Sequence, residues 1–124
     1  MICISVDVDD MHRLNQDRGC NFGDQVLEKI ASMLRELFLQ HATELRHTSD
    51  EFVLFIEGLS TAESEKKMAR CEQQIASTSS VRISYGIGIG DTPASARRSS
   101  IAALFASKRA ATVDKNAQHR RLLI

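Results

Sequence analysis

The stretch "SYGIGIG", residues 84 to 90, carries glycine at every second position. Alternate residues of a strand point to the same side. Gly86, Gly88 and Gly90 therefore give one face of this strand no side chains. Something must pack closely upon it.

The rest of the chain reads as elements able to do so. Residues 2 to 8 form an apolar run ending in acids, a buried strand. Val26, Leu27, Ile30, Met33, Leu34, Leu37 and Phe38 recur at helical spacing, which predicts a helix over residues 24 to 38 with Asp24 as its N-cap. "TELRHTSDEFVLFIEG" alternates around a polar break at His47 to Asp50, the pattern of a hairpin. Ser60 and Glu63 have capping-box spacing for a helix of residues 61 to 77. Thr92 and Pro93 open a last helix, with Ile101, Leu104, Phe105 and Lys108 on one face. "HRRLLI" is expected to close the chain as a strand. The order implies an α+β fold of the ferredoxin or polymerase-palm kind, a mainly antiparallel sheet flanked by helices.

At 124 residues the chain is expected to be one domain, residues 1 to 124. Sixteen basic and sixteen acidic residues cancel, so charge does not point to nucleic acid or anionic lipid. No apolar run nears the roughly 20 residues of a membrane span, and Met1 leads into the first strand with no visible signal peptide. Cys3, Cys20 and Cys71 are odd in number without CxxC spacing. That speaks against a disulfide framework or a zinc site and fits a reducing compartment. The four histidines lack HxxxH or HExxH spacing.

Chemistry concentrates in "DVDDMHRLNQDRGCNFGD", residues 7 to 24, and in Asp50-Glu51 at the hairpin tip. Asp7 and Asp9 end the first strand, and only one of them is expected to look into any one site. Asp9 and Asp10 also suit a turn or a helix cap. An EF-hand is excluded, because Met11 supplies no oxygen at the fifth position and His12 stands where glycine is required. A strand end beside a hairpin tip brings their acids to one sheet edge. Oxygens of Asp7, Asp50 or Glu51 and the Val8 carbonyl would suit magnesium, which commonly serves phosphate chemistry.

These segments, with "RHTSDEF", "SYGIGIG" and "AALFASKRA", resemble the GGDEF domain of diguanylate cyclases along nearly the whole chain. The family pattern runs D-x-D-x-F-K-x-x-N-D-x-x-G-H-x-x-G-D, then R-Y-G-G-D-E-F, S-x-G and A-L-Y-x-A-K-x-x-G-R-N. The resemblance implies a nucleotide cyclase-like palm fold. It implies condensation of two GTP into cyclic di-GMP, with magnesium or manganese, across a two-fold dimer in a bacterial cytoplasm. It makes Asp7, Val8 (by its carbonyl) and Asp50 metal ligands, and Glu51 the acid that helps deprotonate the attacking hydroxyl. Asn15 and Asp24 become the guanine readers, and Lys108 a phosphate contact. Gly19 and Gly23 become the loop glycines around the base. A carboxylate can accept from both guanine N1–H and the exocyclic amine, which suits Asp24.

The departures are equally specific. Thr48 and Ser49 replace the two signature glycines, so side chains crowd a turn that the family keeps bare. His12 replaces a phosphate-facing lysine, a fixed charge exchanged for one mostly lost at neutral pH. Met11, Gln16 and Cys20 replace Phe, Asp and His. Ala111 and Thr112 stand where the last helix has Gly and Arg. Leu39 and Ala42 occupy the positions of the family's inhibitory Arg-x-x-Asp. The family's preceding "DxLTGLxNRR" segment has no counterpart in these residues. The expected outcome is a degenerate module that binds guanine nucleotide and magnesium, regulates or dimerises, and makes little or no cyclic di-GMP. An active cyclase and a ligand-free interaction module are the alternatives; a haloacid-dehalogenase phosphatase is set aside because the chain is too short for that sheet.

Overall fold

A computed structural model describes residues 1–79 and 81–122, with side chains as far as residue 110. Its elements run β1 (Ile2–Val8), α1 (Met11–Arg18), α2 (Cys20–Leu37), β2 (Ala42–Thr48), β3 (Glu51–Ile56), α3 (Thr61–Ser79), β4 (Ile83–Ile89) and α4 (Pro93–Leu122). The strands form one sheet in the order β2-β3-β1-β4. Every neighbouring pair is antiparallel. Strands β1 and β2 are therefore parallel with β3 between them, and β3 and β4 are parallel with β1 between them. These two interlocked split β-α-β units are the ferredoxin-like arrangement expected from the element order.

Strand β1 is covered on both faces, which explains why "ICISV" reads as a continuous apolar run. Ile4, Val6 and Val8 join Phe52, Leu54 and Ile56 against Val26, Ile30 and Leu34 of α2 and Met68, Cys71 and Ile75 of α3. Cys3 faces the other way, in a smaller cluster with Val53, Phe55 and Ala96 of α4. Ser5, on that same side, meets the Ser100 hydroxyl of α4 at 2.7 Å.

The capping boxes form. Ser60 Oγ accepts from the Glu63 N–H at 3.1 Å and lies 3.0 Å from its carboxylate. Thr92 and Ser95 cap α4 reciprocally: each backbone N–H donates to the other's hydroxyl at 3.1 Å.

Two local expectations are corrected. Asp24 is not an N-cap: α2 begins at Cys20 and Asp24 lies within it. The break falls at Gly19, whose φ of 87° closes α1 with its N–H on the Asn15 carbonyl at 2.9 Å. A glycine in such a conformation ends a helix more firmly than an aspartate starts one. The expected closing strand is also not found, since residues 119–122 continue α4. Beyond Pro93 the chain has no glycine or proline, and its Ala, Lys, Arg and Gln sustain a helix. Residues 123 and 124 lie outside the described part.

The glycine face is met by backbone. A Cβ on Gly88 would lie 2.1 Å from the Ser100 nitrogen, and one on Gly86 2.2 Å from the Leu104 nitrogen. Backbone cannot swing aside as a side chain can. Gly88→Ala should cost about 2–3 kcal/mol or more, read from urea unfolding.

Burial raises the Cys71 thiol from 9.0 to about 11, with the Glu72 charge adding to it. The unfolded chain loses that proton first. This contribution is complete below pH 9 and disappears as pH rises through 11. Thermal or urea unfolding should show roughly 2 kcal/mol lost over that window. Cys71→Ala should lower stability overall yet flatten the decline.

Candidate functional site

The site is set by how α4 lies on β4. Four helical residues advance about 6 Å, and two strand residues advance about 6.6 Å. The two elements therefore step together in opposite directions. Gly90 faces Ser95 and Ala96, Gly88 faces Ala96 and Ser100, and Gly86 faces Ser100 and Leu104. The same step carried on from Gly86 and Leu104 leads toward Ser84 and Lys108, which both reach the Asp9 carboxylate. Ser84 is in register with Asp7 of β1.

Lys108 accordingly reaches the acids at the end of β1. Its ammonium donates a short hydrogen bond to Asp7 Oδ2 and stands 3.9 Å from Asp9 Oδ1. One lysine touching both overturns the expectation that only one acid looks into the site. The two are separated by two positions, and that spacing shares a face. Asp9 lies in the turn that follows β1, as expected, and its carboxylate also accepts from the Ser84 hydroxyl at 2.9 Å. The two-residue spacing was the available signal for Asp9; Ser84 carried none on its own.

The electrostatics follow from partial burial. Burial pushes the Asp9 carboxyl above its ordinary value. The Ser84 hydrogen bond and the Lys108 charge oppose that without cancelling it, and the charges of Asp7 and Asp10 add to it. Burial works to lower Lys108. The hydrogen bond to Asp7 and the charges of Asp7, Asp9 and Asp50 outweigh it and hold the ammonium above its usual value. Asp7 Oδ1 is buried and has no hydrogen-bond partner among the described residues.

Asp50 arrives at the same edge by a separate route. The Val8 N–H donates to the Asp50 carbonyl at 3.1 Å, which ties the hairpin tip to the end of β1. Glu51 is opposite Asp7 in the β1–β3 register and is exposed. Acids 43 positions apart in the chain thus share one corner.

The turn between β2 and β3 has two residues, Ser49 and Asp50. Ser49 has a φ of 53°, a conformation that favours glycine. His47 supports the turn: its ring stacks on Phe52 with centroids 4.3 Å apart, and its Nε2 lies 2.9 Å from the Ser49 carbonyl.

Residues expected to meet the base group around the α1–α2 junction. A Cβ on Gly23 would lie 2.1 Å from Asn15 Oδ1, so the missing side chain makes room for that amide. The same oxygen is buried without a partner among the described residues. Asp24 follows Gly23 directly and is exposed. His12, one turn before Asn15, has its Nε2 at 3.1 Å from the Gln16 amide nitrogen. Ala111 and Thr112 fall among residues whose side chains are not described.

Asp7, Glu51 and Lys108 line a hollow of about 110 Å³ beside Ser5, Ile101 and Phe105. A wider cleft of about 330 Å³ is lined by Asp9 with Arg13, Arg18 and Arg82, and none of the residues expected to hold metal or nucleotide lines it. Among the described residues no three His, Cys, Asp or Glu side chains cluster as a metal cage. The donors at the corner are nevertheless hard oxygens, one of them an orphaned buried carboxylate oxygen, and such donors suit magnesium or manganese. The cation that touches them here is the Lys108 ammonium.

An antiparallel sheet in this order, with helices on both faces and acids where a strand end meets a hairpin tip, has the palm-like fold of nucleotide cyclases. The family model described as "Diguanylate cyclase, GGDEF domain" matches residues 1–120. The chain belongs to the GGDEF family. Solved structures agree on the fold. The active GGEEF domain of a diguanylate cyclase from Vibrio cholerae is 23% identical with a TM-score of 0.75, over 87% of this chain and 76% of that one. The diguanylate cyclase SiaD of Pseudomonas aeruginosa, solved with its activator SiaC, is 24% identical with a TM-score of 0.74, over 88% and 46%. The GGDEF domain of DgcB from Caulobacter crescentus, solved with c-di-GMP, is 23% identical with a TM-score of 0.71, over 88% and 72%. No curated protein matches the sequence. No helix among the described residues is long and apolar enough to cross a membrane.

Left-handed backbone at Ser49 costs an L-residue about 1–2 kcal/mol, part of which glycine would return as unfolded-state entropy. Ser49→Gly should therefore raise stability by up to about 1 kcal/mol in urea unfolding.

Proposed function

We propose that this is a GGDEF domain of cyclic di-GMP signalling that holds guanine nucleotide with a divalent cation as a regulatory or dimerising module, and condenses it slowly or not at all. The observation that carries this reading is the contrast within one corner. The Lys108 ammonium is bonded to Asp7 and lies 3.9 Å from Asp9, with the Asp50 charge also acting on it, while the turn beside them carries side chains and a positive φ at Ser49.

In this reading Asp7, Asp50 and the Val8 carbonyl hold magnesium or manganese. The bound ion would neutralise phosphate charge. Asn15 and Asp24 accept from the guanine edge; the unpartnered Asn15 oxygen supports that role. Lys108 and His12 meet the phosphates, and Glu51 takes the proton of an attacking hydroxyl. Phosphoryl transfer depends on positioned charge, and losing one such group commonly costs about a hundredfold or more in rate. With His12 replacing a lysine and Thr112 replacing an arginine, the clamp is short of two fixed cations. Thr48 and Ser49 add bulk where the nucleotide approaches. The nucleotide is GTP or a close relative, and the partner is a second copy or an attached signalling domain.

Calorimetry with GTP and manganese should show binding that Asp24→Ala weakens at least tenfold, the scale of one lost bidentate contact. Chromatography after long incubation should show traces of cyclic di-GMP at most. Robust product that vanishes in Glu51→Gln would make the domain an active cyclase. Absence of binding at millimolar GTP would leave only an interaction module.

A further inference from the structure

The Lys108–Asp7 contact points to a property of the cation site itself. We propose that Lys108 is a built-in competitor for that site: its ammonium and a divalent cation contend for the same carboxylate oxygens of Asp7. The inference rests on the reading of the Asp7–Asp50 corner as a cation site.

Three observations carry it. The ammonium is hydrogen-bonded to Asp7 and lies 3.9 Å from Asp9. Three carboxylates, those of Asp7, Asp9 and Asp50, act on it together. The helix that delivers it cannot retreat. Its backbone is seated on Gly86 and Gly88, so any adjustment falls to the lysine side chain.

A divalent ion on Asp7 would sit about 2.1 Å from a carboxylate oxygen. An ammonium bonded to the same group would then be a like-charged neighbour within a few ångströms, where repulsion is strong because the pair is partly desolvated. The two cations exclude each other. The Lys108 side chain is 36% exposed, and a four-carbon stem can swing its charge outward to water or to an incoming anion. Metal binding must therefore work against a contact already made, and the cation's apparent affinity scales with the fraction of time that the ammonium has released the carboxylate.

The test measures manganese alone, without nucleotide, by paramagnetic resonance of the free ion. It compares the native chain with Lys108→Met and Lys108→Arg, each shown to be folded by circular dichroism. The expected result is manganese binding about tenfold tighter or more in Lys108→Met, within the usual range of coupling between sites, and near-native binding in Lys108→Arg. In the native chain, proton–nitrogen spectra of the lysine ammonium groups should show the Lys108 signal shifting as magnesium is added. That readout stands even if a variant fails to fold. Equal manganese affinity in native and Lys108→Met proteins, or a Lys108 signal indifferent to magnesium that is bound, would overturn the competition and leave the cation site intact. Failure of all three proteins to bind manganese at millimolar concentration would overturn the cation site and the competition together.

Discussion

The fold turns on one close contact, the backbone of α4 seated on the bare face of β4. Helix-on-sheet packing normally keeps a layer of side chains between backbones. Here glycines remove the strand's share of that layer, and Ala96 and Ser100 keep the helix's share small. The helix sinks onto the strand, and its phase and height become fixed by backbone atoms. Fixed phase is what brings a charged residue, four turns from the helix start, to a particular pair of carboxylates.

The corner that results is an electrostatic compromise. Asp7 is mostly buried, and Asp9 is raised by burial despite a hydroxyl and an ammonium beside it. Carboxylates so placed need positive charge nearby. In this chain Lys108 supplies it, and the orphaned Asp7 oxygen marks the part of the demand that one lysine does not meet. The nearby turn holds serine at a conformation that favours glycine.

Much of this was legible in the sequence, and the failures have physical reasons. Local signals held: the capping box at Ser60 and Glu63, the hairpin around His47 to Asp50, the start of α4 at Pro93 and the need for close packing on the glycine face. Each depends on a few adjacent residues. Asp24 misled because a stronger local signal, the helix break at Gly19, lay just upstream. Residues 119–122 misled because a short basic and apolar string reads as a strand when detached from the long helix that these residues continue. The convergence of Asp7 and Asp50 was expected from topology. The Lys108 contact was not, since it depends on matching the rise of a helix against that of a strand across 101 positions of chain.

That matching has a bearing on how the sequence can change. One residue gained or lost between Pro93 and Lys108 would rotate the lysine by ~100° around the helix axis. It would then face away from β1. Seven residues would restore its bearing but carry the ammonium ~10 Å beyond Ser84. The first four turns of α4 thus behave as a segment of fixed length, open to substitution on its outer surface but closed to insertion and deletion.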